Sequence, residues 1–383
     1  MSMFSCSDRM LFPYLLARPA IRVFTVAFLF PSLIWWTVPI QGNPSGGIVV
    51  HGNVDIGNGA GGHLLINQNS PNAIINWNDF SINAGELTQF VQPGTDSAVL
   101  NRVTGGNPSA IYGALKGNGN VFVINPNGIL VGASGTIDVH GVVLSTLDVS
   151  NGEFLAGSDQ LFKGENPGGV TNLGKINAIG GDVFLIGKTV TNSGSISSVG
   201  GTVGLAAGEE VLVTARDGLN GERMFVRAAG SGVSGTGIFN DGTITGAAVE
   251  LKAHGNAYAL AINNKGSIRA TGTTTSGGRV FLRGAGGSVH SSGSIRASSP
   301  GVGSGGRALI EAAYAKVDGS IDVSGPGAGT VTIKGSEKVE LDGSINLNGL
   351  EDKGGDLVIE GKDITLGSAT IIDASGENGG GTV

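Results

Sequence analysis

The sequence predicts an all-β protein: a right-handed parallel β-helix with a few extra strands or hairpins outside the helix near the N-terminus. After residue 41, short alternating stretches of Val, Ile and Leu are separated by Gly-Gly, Asn-Gly and Asp-Gly pairs, which indicates strands joined by tight turns. A unit of the form G-x-Ile also returns along the chain, mostly in steps of 20 to 27 residues, as expected for the coils of a solenoid.

The repeat is clearest in the middle of the chain. Residues 172–191 (NLGKINAIGGDVFLIGKTVT) align with residues 192–211 (NSGSISSVGGTVGLAAGEEV), with Asn, Gly, Ile, Gly-Gly, Val and Leu in register. The isoleucine of the G-x-Ile unit recurs at Ile176, Ile196, Ile244, Ile268, Ile295, Ile321, Ile345 and Ile372. One such coil cannot bury its apolar face alone, so we expect coils stacked ~4.8 Å apart, with strands paired between neighbouring coils.

The amino-acid composition agrees with a solenoid. Glycine supplies 69 of the 383 residues and proline only 12, without the three-residue period of collagen. With 40% hydrophobic residues, the chain is too apolar to remain disordered. Gly and Asn suit the left-handed backbone angles of coil corners. A leucine-rich repeat is the main competing solenoid, but its L-x-x-L-x-L pattern is absent from the sequence.

The first 41 residues differ from the rest. Three arginines precede a continuous apolar stretch from Val23 to Trp36, as in the charged and apolar regions of a secretory signal peptide. A transmembrane anchor is the alternative, but the stretch is shorter than the ~20 residues that a bilayer requires, and Pro31 interrupts it. We therefore expect residues 1–41 to be a signal peptide, cleaved near Gln41, and the protein to be exported.

Charge and cysteine content exclude several function classes. The formal net charge is −7 at pH 7, which gives no attraction to phosphate backbones, so we expect no nucleic-acid partner. The one cysteine, Cys6, lies in the predicted signal peptide, so we expect neither disulfides nor thiolate ligands after export. We predict no metal site and no cofactor, because five histidines are scattered without metal-ligand spacing: His51, His63, His140, His254 and His290.

Residues 42–151 contain the most distinctive sequence. The segments are IINWNDFSI (74–82), VLNRV (99–103), NPS (107–109) and VFVINPNGILV (121–131). Together they resemble the N-terminal two-partner secretion (TPS) domain of filamentous-haemagglutinin-type exoproteins. The most specific element is the family's N-P-N-G-I motif, which the resemblance identifies as a candidate secretion motif and which consists here of Asn125, Pro126, Asn127, Gly128 and Ile129.

A second family motif, N-P-N-L, is missing at its usual place before the VLNRV strand. This chain has four other residues there: Gln92, Pro93, Gly94 and Thr95. We take them, with Asn101 and Arg102 of the strand, as a second candidate secretion-motif region.

The N-P-N-G segment also has a reading that does not depend on the family. Proline fixes the first corner of a turn, and Asn-Gly supplies positive φ values, so the segment predicts a tight turn between two strands. A purely structural turn and a secretion signal both remain open.

The resemblance covers about residues 43–250 and implies a domain plan. Residues 42–250 form a TPS-like secretion domain on a β-helix, and residues 251–383 continue the β-helix. The implied partner is an outer-membrane barrel transporter with POTRA modules, and the product is secreted or held at the surface of a Gram-negative-type bacterium. The family's downstream β-helix implies adhesion to a receptor or glycan on a host or neighbouring cell. Because the sequence stops where a coil begins its second strand, we expect a truncated product or a fragment.

Two other functions stay open. Polysaccharide lyases and hydrolases also use this pectin-lyase-like solenoid, with several acids converging on adjacent coils. Asp318 and Asp342 each precede Gly-Ser-Ile, one coil apart, so they are expected to stack, yet Asp before Gly is ordinary turn chemistry. Asp322 and Asp363 have no obvious partner, and we predict no catalytic site. A stalk for a C-terminal toxin is the other alternative, and it requires a further domain.

Overall fold

A computed structural model describes residues 42–218, 221–227, 235–254, 258–272, 277–297 and 303–383. The predicted signal peptide, residues 1–41, lies outside the described residues. Within them, helical structure is confined to one short α-helix, α1 (Asn151–Ala156), and a 3-10 turn (Ala60–Gly62). No helix in this part of the chain is both long and apolar enough to cross a membrane.

The described residues form 32 strands. The first half of the chain contains β1 (Ile48–His51), β2 (Val54–Ile56), β3 (His63–Gln68), β4 (Asn72–Trp77), β5 (Leu87–Val91), β6 (Ala98–Val103), β7 (Ser109–Ile111), β8 (Ala114–Gly117), β9 (Asn120–Ile124), β10 (Ile129–Val131), β11 (Thr136–Val139), β12 (Gly141–Ser145), β13 (Gln160–Lys163), β14 (Val170–Asn172), β15 (Lys175–Ile179), β16 (Val183–Gly187) and β17 (Val190–Asn192). The second half contains β18 (Ser195–Ala207), β19 (Glu210–Val213), β20 (Met224–Val226), β21 (Thr236–Asn240), β22 (Thr243–His254), β23 (Leu260–Asn264), β24 (Ser267–Ala270), β25 (Arg279–Ser291), β26 (Ser294–Ala297), β27 (Arg307–Val317), β28 (Ser320–Asp322), β29 (Thr330–Leu341), β30 (Ser344–Asn346), β31 (Asp356–Leu366) and β32 (Ile371–Asp373).

Of these strands, 29 belong to one continuous sheet that wraps around a central core, and the fold is the predicted parallel β-helix. The sheet has three faces, which we call A, B and C. Face A stacks β3, β5, β8, β11, β15, the first parts of β18 and β22, β24, β26, β28, β30 and β32. Face B stacks β4, β6, β9, β12, β16, the second parts of β18 and β22, and the first parts of β25, β27, β29 and β31. Face C stacks β7, β10, β14, β17, β21, β23 and the second parts of β25, β27, β29 and β31.

The predicted isoleucine series is confirmed. Its neighbouring members pair in register on face A, from Ile176 to Ile372. They are buried in the central core, except that Ile372 in the last coil is only partly buried. The column begins earlier than the repeat indicated, because Leu115 and Ile137 hold the same position in preceding coils. Within the column, each of these aliphatic side chains therefore packs against a similar side chain in the preceding coil and in the following coil.

The corner from face C to face A is the most regular part of the helix. Four fully buried asparagines occupy it in successive coils: Asn172, Asn192, Asn240 and Asn264. A glycine stands two residues after each asparagine and allows the coils to approach closely. A Cβ on Gly242 would lie 2.1 Å from the carbonyl oxygen of Gly194 in the preceding coil, so no larger residue fits there without moving the backbone.

Two groups of strands lie outside the three faces. At the N-terminal end, β1 pairs antiparallel with β4 and β2 pairs antiparallel with β3, so both cover the first coil. A separate antiparallel sheet of β13, β19 and β20 comes from two insertions between faces B and C. The first group lies near the N-terminus, as predicted. The second group lies further along the chain, between residues 160 and 226.

Face B explains why the second group exists. All five residues of β16 are buried, on both sides of the sheet. Val183 and Leu185 pack in the central core, whereas Phe184 and Ile186 point outward into a second apolar core. A strand that is apolar on both sides needs a covering layer, and the antiparallel sheet and α1 supply it.

Candidate functional site

The N-P-N-G-I segment forms the corner from face B to face C, between β9 and β10. The backbone carbonyl of Asn125 accepts a hydrogen bond from the Gly128 N–H at 3.1 Å, which closes a tight turn. Gly128 has a φ of 121°, a left-handed value that favours glycine. Ile129 then enters the central core. The turn predicted from the residue types is therefore confirmed.

The side chain of Asn125 joins this turn to the preceding coil. It is fully buried, and its Nδ2 donates to the carbonyl oxygen of Asn107 and to Ser109 Oγ, both at 2.9 Å. Its Oδ1 accepts from the backbone N–H of Asn127 at 3.0 Å. In addition, the Asn125 N–H donates to the carbonyl oxygen of Ser145 in the following coil at 2.9 Å. One asparagine thus holds three consecutive coils together.

The other polar member of the motif, Asn127, lies on the surface. Its Nδ2 donates to the carbonyl oxygen of Gly105 at 2.9 Å and to Asn125 Oδ1 at 3.2 Å, and the residue is exposed. Pro126 is half-buried. The following coil closes over the turn, because a Cβ on Gly168 would lie 2.5 Å from the Pro126 carbonyl oxygen. Asn127 is consequently the part of the motif most accessible to a partner.

The second candidate region is divided by the fold. Gln92 is buried at the corner from face A to face B, where its Nε2 donates to Gln68 Oε1 at 3.1 Å and its Oε1 accepts from the Gly119 N–H at 3.0 Å. Pro93 and Thr95 are exposed at the same corner, and Gly94 is half-buried there. This corner precedes β6, whereas the N-P-N-G-I turn lies beyond the far end of that strand.

Asn101 and Arg102, in contrast, lie beside the N-P-N-G-I turn. They pair with Val123 and Ile124 of the next coil, directly before Asn125. Asn101 is fully buried; it accepts a hydrogen bond from Trp77 Nε1 at 2.9 Å and donates to the carbonyl oxygen of Phe122 at 3.1 Å. The structure thus brings Asn101 and Arg102 to the motif and leaves Gln92 to Thr95 at another corner.

Arg102 has a further role that the sequence did not indicate. Its Nε lies 3.0 Å from both carboxylate oxygens of Asp148, its Nη1 donates to Asn151 Oδ1 at 3.0 Å, and its Nη2 donates to the Val149 carbonyl oxygen at 2.9 Å. These contacts fix the start of the first insertion to face B. Such a planar fork of donors is a property of arginine and not of lysine.

One sequence signal for this insertion was missed. Ser150 and Glu153 form the S-x-x-E pattern of a helix N-terminus. Ser150 Oγ accepts from the Glu153 N–H at 3.2 Å and donates to Glu153 Oε2 at 2.6 Å, so the pattern caps α1. Phe154 of this helix packs edge-on against Phe122, with ring centroids 5.2 Å apart.

A cleft of about 380 Å³ lies between face B and the insertions. Its floor includes Phe122, Phe154 and Phe184, and an ion pair between Arg223 and Asp182 with an N–O distance of 3.0 Å lies at one side. The guanidinium of Arg223 also stands 5.8 Å from the Phe184 ring centre. The cleft is therefore apolar below and charged at its rim.

The acids considered for catalysis have structural partners. Asp318 and Asp342 do occupy equivalent corners of adjacent coils, since Val317 pairs with Leu341. The Asp318 carboxylate lies 2.8 Å from His290 Nε2, and Asp342 Oδ1 accepts from the Ala369 N–H at 2.9 Å. Burial alone would raise the pKa of Asp318, but hydrogen bonds from His290 and Lys316 lower it below its usual value.

The remaining two acids lie apart from this pair. Asp322 Oδ1 accepts from the N–H of Ser324 at 3.0 Å, and Asp363 stands opposite Lys338 in the register of β29 and β31. Across the described ranges, no group of three or more His, Cys, Asp or Glu side chains is arranged to hold a metal ion.

Comparison with known proteins agrees with the geometry. Residues 40–297, about two thirds of the chain, match the family described as TPS secretion domain. Among solved structures, the HMW1 secretion domain from Haemophilus influenzae has a TM-score of 0.71 and 28% identity, covering 88% of this chain and 93% of that chain.

Two curated relatives are both heme/hemopexin-binding proteins of Haemophilus influenzae. One is 30% identical over 247 residues, which is 62% of this chain and 27% of the relative. The other is 37% identical over 100 residues, which is 26% of this chain and 11% of the relative. The resemblance drawn from the residues around the N-P-N-G-I motif is confirmed, and the chain belongs to the two-partner secretion (TPS) domain family.

Proposed function

We propose that this protein is an exoprotein exported across the outer membrane by a dedicated two-partner secretion transporter, and that its secretion domain is the part the transporter binds. The observation that carries the proposal is the family match over residues 40–297, together with the likeness to the HMW1 secretion domain. The predicted signal peptide supplies passage across the inner membrane. The product is then released, or held at the surface, of a Gram-negative-type bacterium.

The partner in this proposal is an outer-membrane barrel with POTRA modules that bind the secretion domain in the periplasm. The parallel β-helix suits such export, because each new coil buries its apolar residues on the coil before it. Folding outside the cell, coil upon coil from the N-terminus, then draws the remaining chain outward without a nucleotide. The antiparallel cover of β1 and β2 gives this process a defined first coil.

Within the secretion domain, we assign different contributions to the two asparagines of the motif. Asn125 acts by holding coils together, since its side-chain amide is used entirely inside the protein. Asn127 is the candidate contact for the transporter, since it is exposed. The second candidate region has the same division: Pro93 and Thr95 are exposed, whereas Gln92 and Asn101 are buried.

The test is to produce the protein with and without its transporter in a Gram-negative host and to quantify it in medium, outer membrane and periplasm. We expect the protein outside the cell only when the transporter is present. Equal recovery in the medium without the transporter would contradict the proposal, as would retention of the protein in the periplasm when a functional transporter is present.

Two variants then separate folding from recognition. Asn125→Ala leaves buried partners unsatisfied, so we expect a lower free energy of unfolding and less export. Asn127→Ala is expected to reduce export with little change in unfolding. Asn69→Ala, an exposed asparagine bonded to Asp55, is the matched control for both measurements. If Asn127→Ala is exported as well as the control, Asn127 is not a transporter contact.

We also propose an adhesive role for the β-helix, towards a receptor or glycan on another cell. The supporting observation is Tyr314 on face C, which is 52% exposed in a groove with Lys316 and Lys338. An exposed aromatic ring beside charged groups suits stacking on a sugar. Binding of the secreted protein to a glycan array, and its loss in Tyr314→Ser, tests this role; absence of any glycan binding by the wild type counts against it. Heme or hemopexin binding is not proposed for this chain, because the chain matches only 27% of the length of the first relative, a heme/hemopexin-binding protein.

A further inference from the structure

The two insertions together form a strap across face B, which we define as residues 148–163, 210–218 and 221–227. Arg102 of β6 fixes one end of the strap. The other end is fixed on β22 and β25, which lie five and six strands further along face B. At ~4.8 Å per coil, the two anchors are ~29 Å apart along the helix axis. The strap therefore spans most of the secretion domain.

The far anchor begins with a buried carboxylate. Glu250 of β22 is fully buried, although it points away from the central core. Its oxygens accept from the backbone N–H groups of Arg223 at 2.6 Å and Met224 at 3.0 Å, at the start of β20. Lys252 Nζ lies 2.9 Å from the same carboxylate. Glu250 thus holds the last strand of the strap by its backbone.

A second carboxylate in the strap completes the cluster. The side chain of Glu222 is 6% exposed and lies 3.7 Å from Lys252 Nζ and 2.5 Å from Arg283 Nε. The Lys252 side chain is only 4% exposed, whereas that of Arg283 is 25% exposed at the edge of the cluster. Among the buried groups, the carboxylates of Glu222 and Glu250 therefore meet Lys252 and Arg283, while the more exposed Glu311 pairs with Arg283 on its outer side. Without Arg283, the two buried carboxylates have only Lys252 as a counter-ion.

Arg283 is also the member of the cluster that comes last in the chain. It lies on β25, 61 residues after Glu222. Before β25 joins the helix, two carboxylates share the single charge of Lys252. A buried carboxylate without a partner strongly disfavours the folded arrangement.

We propose that the strap closes only when β25 has joined the helix, so that Arg283 completes the secretion domain. This places the functional end of the domain beyond residue 283 and not at residue 250. The family match, which ends at residue 297 just after β25, agrees with that position. This consequence rests on the proposed export: during export, the strap and face B stay accessible until the next two coils, which end in β22 and β25, have emerged.

The first test uses the full chain and amide hydrogen exchange. Arg283→Met removes the cation while keeping the apolar stem. We expect exchange of the β19 and β20 amides to rise by on the order of 100-fold, with β4 to β12 unchanged, because the strap opens locally. Adding Glu222→Gln to this variant removes the orphaned charge and is expected to restore most of the protection.

Two control variants make the result specific. Arg296→Met removes an arginine from an exposed pair with Asp322, and Glu311→Gln removes the outer partner of Arg283. Neither is expected to change exchange in β19 or β20. The proposal is overturned if Arg283→Met keeps wild-type protection in the strap, if protection falls equally in every coil, or if Glu222→Gln gives no rescue.

The second test measures the order of folding. Pulse labelling during refolding of the full chain should show β19 and β20 gaining protection no earlier than β25, and later than β6 to β12. Protection of the strap before β25 would contradict the proposal. Both tests use purified protein without the transporter, so their failure is distinguishable from failure of the export experiment.

Discussion

Asn172 donates a hydrogen bond from its side-chain amide to Asn192 Oδ1, one coil further along, at 2.8 Å. The pattern continues from Asn192 to Asn240 and from Asn240 to Asn264, each at 2.7 Å, and ends on Ser291 Oγ at 3.1 Å. This asparagine ladder satisfies polar groups that are fully buried. Because each rung needs its neighbour in register, the ladder also fixes how successive coils stack.

Asn192→Ala tests the ladder at an interior rung. It removes the Asn192 acceptor of the Asn172 amide, which keeps only the Ser195 carbonyl oxygen at 3.4 Å, and it removes the donor to the buried Asn240 Oδ1. We expect the free energy of unfolding in urea to fall by about 1–4 kcal/mol, because two buried groups each lose a hydrogen bond. Asn69→Ala, at an exposed asparagine, is expected to change it by less than about 0.5 kcal/mol. Equal effects of the two variants would show that the ladder does not stabilise the helix.

Gly242→Ala tests the close approach of coils at the same corner. The added methyl group would meet the carbonyl oxygen of Gly194 at 2.1 Å, so neighbouring coils must separate. We expect the free energy of unfolding, measured in urea, to fall by about 1–3 kcal/mol or more. Gly106→Ala is the control, because a Cβ there has no heavy atom within 4 Å. A stable Gly242→Ala variant would mean that the corner tolerates expansion.

Tyr258→Phe tests a pH effect. Tyr258 is 5% exposed and its hydroxyl donates to the Lys188 carbonyl oxygen. Burial, and then the charge of Glu209, raise the pKa of Tyr258 to about 12. A raised pKa favours the neutral phenol in the folded protein, so its contribution is complete below pH ~10 and is lost as pH rises towards 12.

Wild-type protein should therefore lose roughly 2–3 kcal/mol of unfolding free energy between pH ~10 and ~12 through this group. Tyr258→Phe should lack that part of the loss, although it starts lower because the hydrogen bond is gone. Urea unfolding at several alkaline pH values measures the difference. Tyr112→Phe, at a tyrosine that is 41% exposed, should follow the wild type. Parallel pH curves for Tyr258→Phe and wild type would refute the assignment.

Arg102→Lys tests the near anchor of the strap. Lysine keeps the charge but cannot reach Asp148, Asn151 and the Val149 carbonyl oxygen together. We expect the free energy of local opening of α1 and β13, measured by hydrogen exchange, to fall by about 1–3 kcal/mol. The central core should exchange as in the wild type. Arg296→Lys, at an exposed arginine, is the control. Unchanged protection of α1 would place the anchor elsewhere.

The β-helix was predictable from the sequence because residues of the same type recur once per coil. The isoleucines from Ile176 to Ile372 and the Asn-x-Gly corners recur once per coil, and this recurrence predicts which residues stack. The N-P-N-G turn was predictable because proline and glycine act on their own backbone.

The strap was not predictable in this way. Arg102 and Asp148 are 46 residues apart, and Glu222 and Arg283 are 61 residues apart, with no repeat that relates them. The family pattern places Gln92 and Arg102 in one candidate region, but they lie at opposite ends of β6 and therefore at different corners. The contacts of an insertion depend on which face it covers. That face is known only once the stacking of the coils is known.

The regular corner has one more consequence. The next isoleucine is always the fourth residue after a ladder residue, as with Asn172 and Ile176 or Ser291 and Ile295, whereas coil lengths vary. Within these ladder coils, length variation is therefore taken up along the other two edges, and the strap enters from one of them. Foreign epitopes or reporter peptides grafted between faces B and C should leave the stack intact, whereas the same grafts between faces C and A should divide the protein into two separately melting halves.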